Sequence, residues 1–131
     1  MNEQMIKNLQ KYKEEVMHAW IDEMKNEKGE KFFQYMPEHL VEKTSREFTT
    51  LMLSNIEEGE DVSDEESMEF ATKIVRFGWS ISFINTAIDR FSKVVFKHLE
   101  KEKIINGENY SQFFHLHLKW IEPLRRSIIQ S

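Results

Sequence analysis

Apolar residues recurring at three- and four-residue steps over long stretches, broken by only four Gly and two Pro in 131 residues, constrain this chain more than any other feature. That period puts side chains on one face of an α-helix, which turns once in about 3.6 residues. So few chain breakers leave little material for the turns of a sheet. The fold class is therefore all-α, without a sheet.

The first helix is predicted from about Asn2 to Glu27, with Met5, Ile6, Leu9, Tyr12, Val16, Ala19, Trp20 and Met24 on its buried face. Lys25 to Lys31 is charged, contains Gly29 and reads as a loop; Phe32, Phe33, Tyr35 and Met36 then form a single inward-packing turn. Pro37 suits a first helical turn, where its missing N–H would have had no partner, and Leu40, Val41, Thr44, Phe48, Leu51, Met52 and Ile56 continue the rhythm to Gly59. Ser63 with Glu66 makes a capping box for a shorter third helix presenting Met68, Ala71, Ile74 and Val75. After a break at Gly78, a helix from about Ser80 to Lys101 buries Phe83, Ile84, Ala87, Ile88, Phe91, Val94, Val95, His98 and Leu99, a pattern wide enough to predict a central position. Asn106-Gly107 is the next turn. The last helix, from about Glu108, offers Tyr110, Phe113, Phe114, His117, Trp120, Ile121, Leu124 and Ile128, with a kink near Lys119 or Trp120 imposed by Pro123.

At this length one hydrophobic core is feasible without staples. The chain has no Cys, which removes disulfides and thiolate metal sites and fits the reducing cytosol. Lys plus Arg total 18 against 23 Asp plus Glu, without the basic stripe that a phosphate backbone requires, so nucleic acid is not an expected partner. No export signal or membrane-length apolar run is present, and no repeat or linker divides the sequence.

Glu15 and His18 have the three-residue spacing by which a helix turn serves a di-iron centre, but such centres need a second pair and two further Glu. A solvated helix face is the better reading. His115 and His117, two apart, point in nearly opposite directions and cannot share an ion; a partly buried structural His117 is favoured. The acidic run from Glu57 to Glu66 lacks the alternating ligands and central Gly of a calcium loop. With no phosphate-binding loop, nucleophile elbow or zinc-protease helix, no enzyme and no metal site are expected. Ten Phe, three Trp and three Tyr suit a core, or a shell around a flat cofactor such as haem, whose iron would need an axial ligand, usually His.

Three strings carry a resemblance: VMHAWIDEM from Val16 to Met24, EKTSREFTTLMLS from Glu42 to Ser54, and IVRFGWSISFINTAI from Ile74 to Ile88. With the order of elements, they resemble, over nearly the whole chain, the N-terminal domain of RsbR-type stressosome proteins. These have a haem-free globin fold and act in the bacterial general stress response, in sigma-B regulation. The third string is also similar to haem-binding globin-coupled sensors. Where those sensors keep a proximal His, alignment on Gly78 places Ile74, and no His lies between His39 and His98.

The resemblance implies a non-enzymatic, cytoplasmic, globin-like sensor domain of five to seven helices over residues 1–131, without a cofactor. It implies a homodimer that signals to stressosome STAS-domain proteins. The chain stops at Ser131, about where a linker would begin, so the downstream linker and STAS domain are expected to be absent. Trp120, Ile121, Leu124 and Ile128, around and beyond the kink, are the candidate output and dimer residues. Two alternatives remain: a haem-binding gas sensor with His98 or His117 as displaced ligand, and a ligand-free helical-bundle adaptor.

Overall fold

The computed structural model describes residues 3–26, 32–58 and 78–105 and the single positions 65, 69, 72, 76 and 111; the side chains of 32 and 55–58 lie outside that description. Every regular element among the described residues is helical: α1 (Glu3–Lys11), α2 (Lys13–Lys25), a 3-10 turn (Phe32–Gln34), α3 (Glu38–Glu58) and α4 (Ile81–Lys101). The all-α class holds. These elements number fewer than the expected five to seven helices, because the expected third and last helices fall largely outside the described residues. Glu65, Glu69, Thr72 and Arg76 are nevertheless helical and exposed. Their steps of four, three and four match the spacing of one helix face.

The single first helix of the sequence reading is two helices. Tyr12 leaves the helical region at φ −104° and ψ 23°, although its N–H still reaches the Asn8 carbonyl at 3.0 Å and Val16 N–H reaches its own carbonyl at 3.0 Å. On either side of this break, α1 buries Met5 and Leu9 while α2 buries Val16, Met17, Trp20, Ile21 and Met24. Ala19, expected inside, is exposed, on the side of α2 away from that stripe. Among the described elements α2 and α4 pack most extensively on each other, and rings of α4 also meet Phe48 of α3 and Phe33 of the 3-10 turn. The width of the α4 stripe reflects how deeply that helix is covered: Phe83, Ile84, Ala87, Ile88, Phe91, Ser92, Val94, Val95 and Leu99 are buried.

Trp20 is the hub of this core. It is fully buried, stacks on Phe48 of α3 (4.6 Å, 17°), meets Phe33 of the 3-10 turn edge-on (5.6 Å, 82°) and donates its indole N–H to the Ala87 carbonyl of α4 at 2.9 Å. Trp79 and Phe83 continue the ring network at 4.7 Å, and Phe91 closes on Phe48 at 5.7 Å. Phe33 of the 3-10 turn thus packs inward, whereas Tyr35 is 81% exposed. Leu40 is also largely exposed, standing one residue, about 100° of helix, off the Val41 stripe. That stripe runs through Val41, Thr44, Ser45, Phe48, Thr49, Met52 and Leu53, with three hydroxyls in the core. Ser45 Oγ and Thr49 Oγ1 have no hydrogen-bond partner among the described residues.

Both ends of α4 are fixed by local chemistry. Gly78 takes φ +78°, the left-handed conformation that glycine adopts without steric cost, and Ser80 then caps the helix by accepting the Phe83 N–H at 3.0 Å. At the other end Lys103 is left-handed at φ 60°. Lys103 N–H bonds to the Glu100 carbonyl at 3.0 Å and Ile104 N–H to the Leu99 carbonyl at 2.9 Å, the paired bonds of a Schellman stop. The expected turn at Asn106-Gly107 lies outside the described residues; the helix itself ends at Lys101, as the spacing predicts. Lys103→Gly is expected to stabilise the domain by about 0.5–1 kcal/mol, since it relieves a side chain in the left-handed region while adding some unfolded-state entropy. A urea midpoint that rises at constant slope would register it; an unchanged or lower midpoint would contradict it.

Candidate functional site

The break at Tyr12 is matched by a polar contact across the fold. His98, in the last turn of α4, places Nε2 2.8 Å from Asn8 Oδ1 in α1, and its ring lies 5.1 Å from that of Tyr12 at 55°. Burial pushes its pKa below the ordinary imidazole value, against the pull of Glu102 and Glu15. Beside it, Glu15, Val16, Ala19, Val94, Lys97 and Lys101 line a pocket of about 250 Å³ between α2 and α4. This pocket is below the range of about 300–1,000 Å³ usual for small-molecule sites. Haem ligation through this nitrogen would displace Asn8.

The outward face of α3, from His39 through Glu42, Lys43, Arg46, Glu47 and Thr50 to Leu51, lines an open groove of about 790 Å³. Its charges are mixed. Arg46 bonds to Glu14 of α2 and also reaches Glu42 Oε1 at 3.3 Å, and this pairing lowers the Glu14 pKa and raises that of Arg46. These groups are solvent-exposed, so the pair orients α2 against α3 more than it stabilises either.

His18 contacts this same cluster, 3.9 Å from Glu14. No group of three or more His, Cys, Asp or Glu that could hold a metal occurs among the described residues. Ile74, His115, His117, the capping box at Ser63 and Glu66, and the candidate output residues Trp120, Ile121, Leu124 and Ile128 lie outside the described residues. Sequence reasoning placed His98 on the α4 face but missed Asn8 as its partner. A polar residue inside an apolar stripe, beside the mid-helix aromatic Tyr12, was the available signal. No described helix is long and apolar enough to cross a membrane.

Comparison with known proteins gives one match. The family profile described as Rsbr N terminal covers residues 9–131. No curated protein and no solved structure matches the chain. A profile that spans all but the first eight residues, on a chain whose described elements are all helical, places it: the protein belongs to the RsbR N-terminal family of regulatory sensor domains.

Proposed function

We propose that this chain is a non-enzymatic, haem-free, globin-like sensory domain that works in the cytoplasm as a homodimer. It passes a stress signal through its C-terminal segment to a STAS domain or the stressosome core. The family match over residues 9–131 carries this reading. The fold supports it in mechanical terms: rings from α2, the 3-10 turn, α3 and α4 meet at Trp20 and Phe48, so the core responds as one body. A helix leaving such a core can transmit rotation or a shift in register.

In this reading Trp120, Ile121, Leu124 and Ile128 form the output and pairing face, and Ile74 occupies the place of a haem ligand. Truncation after Lys119 is expected to convert the dimer to a monomer in sedimentation equilibrium, with the helical circular dichroism of the remaining chain retained. An unchanged oligomeric mass would remove the C-terminal segment from the interface. Protein expressed with haem supplied is expected to show no stoichiometric Soret band; a band at one equivalent would overturn the haem-free reading.

A further inference from the structure

The cleft between α2 and α4 is rimmed by two rows of opposite charge, and one row is a member short. The helices run antiparallel: Tyr12, just before α2, meets His98 near the end of α4, while Trp20 reaches the Ala87 carbonyl nearer its start. From α4 the rim takes Lys93, Lys97 and Lys101, and from α2 it takes Glu23, Ala19 and Glu15, both at four-residue steps. Side chains four apart stand one above another on a helix face, so antiparallel rows in this register pair as three rungs. The rung of Glu23 and Lys93 is closed, at 3.4 Å. In the middle rung Lys97 has only the exposed Ala19 opposite it, which offers no carboxylate. The rung of Glu15 and Lys101 is open, and neither of these residues nor Lys97 makes an ion pair. A rotation of Glu15 onto Lys101 would still leave Lys97 without a carboxylate.

We propose that this cleft binds a small carboxylate with a short apolar tail, whose carboxylate lies over Ala19 and completes the middle rung with Lys97. This inference does not rest on the stressosome reading.

Charge sets the sign of the ligand. Glu23 and Lys93 neutralise each other, which leaves two lysines against the single carboxylate of Glu15. His98 adds no charge near neutral pH, since burial holds its pKa below the ordinary imidazole value and its Nε2 is bonded to Asn8. The excess is one positive charge, which a monocarboxylate balances. The floor sets the rest of the ligand. Val16 and Val94 lie beneath the charged rim, so a tail placed on them leaves water while the carboxylate stays at the rim. A volume of about 250 Å³ holds about eight groups of the size of a water, at about 30 Å³ each. That is too little for a flat cofactor and enough for a short-chain acid. The rim is solvated, so the ion pair gives direction more than strength.

Isovalerate titrated into the full chain at constant ionic strength, followed by backbone amide resonances, tests the site. Saturable shifts are expected in α2 from Glu15 to Glu23 and in α4 from Val94 to Lys101, with half-saturation at or below about 10 mM. Isovaleramide, which has the same tail without the charge, should bind about tenfold more weakly or worse. Ala19→Glu supplies the missing carboxylate from the chain itself, and Lys97→Gln removes its partner; each should weaken isovalerate binding by about tenfold or more. Both positions are exposed, so helical circular dichroism should be unchanged in the two variants. No saturable shift, equal binding of isovaleramide, or either variant binding as tightly as the wild type overturns the site. A sedimentation mass that changes in Ala19→Glu would put the carboxylate on a second copy of the chain and also overturn it.

Discussion

Trp20→Ala is expected to lower the unfolding free energy by about 3–5 kcal/mol, the range for deleting a large buried aromatic side chain. The site offers no easy collapse, because the cavity would open among Phe48, Phe33 and the backbone of α4, three partners held by different elements. A typical domain is stable by only about 5–15 kcal/mol, so the variant should have a much reduced urea midpoint or be unfolded outright. Trp20→Phe separates the contributions. It keeps a ring against Phe48 and loses the N–H bond to Ala87, whose carbonyl also lies within the helical ladder, so its cost should be well below that of Ala. Chemical denaturation followed by far-ultraviolet circular dichroism measures both. A Trp20→Ala loss under about 1 kcal/mol, within the reach of ordinary surface substitutions, would mean that Trp20 is not the hub.

Gly78 gives the second large effect, and a conformationally clean one. A Cβ built at this position meets nothing within 4 Å among the described residues, so a methyl group there is not crowded. The cost comes from φ +78° alone: about 1–2 kcal/mol for Gly78→Ala, the usual price of a left-handed L-residue. Gly78→Val should cost more, because a β-branched side chain is the least tolerant of that region, and Gly78→Asn less, because Asn enters it more readily. The order Asn, Ala, Val in rising cost is the expected result from thermal or urea unfolding. Equal effects for all three would show that the turn, and with it the approach of Trp79 to the core, is not fixed by this dihedral.

The elements most legible in the sequence are those whose signals are local. In α4 the apolar stripe, the Gly78 break and the start near Ser80 follow from spacing and from the chemistry of helix ends. What escaped depends on contacts between distant residues. The break at Tyr12 has no Gly or Pro to announce it, and it is met by His98 from the far end of the described fold. The end of α4 at Lys101 falls where the spacing predicts it, although the stop itself is made by two backbone bonds rather than by a glycine. Tyr35 reads as inward from its apolar neighbours, but it lies just past the 3-10 turn and is exposed, while Phe33 of that turn is buried. Ser45 and Thr49 were legible in principle: admitting hydroxyls to the stripe of α3 completes its three- and four-residue rhythm. Of the candidate site, the family is legible through resemblance and His98 as an unusual residue in an apolar stripe. Asn8 stands out only as a polar residue on the apolar stripe of the first helix, and nothing local ties it to His98.

The ring network also bears on how the domain can be observed. Trp20 is wholly covered and Trp79 is only 6% exposed, so two of the three tryptophans emit from inside one aromatic cluster. An aqueous quencher such as iodide reaches neither while the domain is folded. Any quenchable fraction of the native fluorescence therefore belongs to Trp120, the indole in the proposed output segment. Unmodified protein thus carries its own optical probe of that segment, and the same emission, once Trp20 and Trp79 also become quenchable, reports the loss of the core.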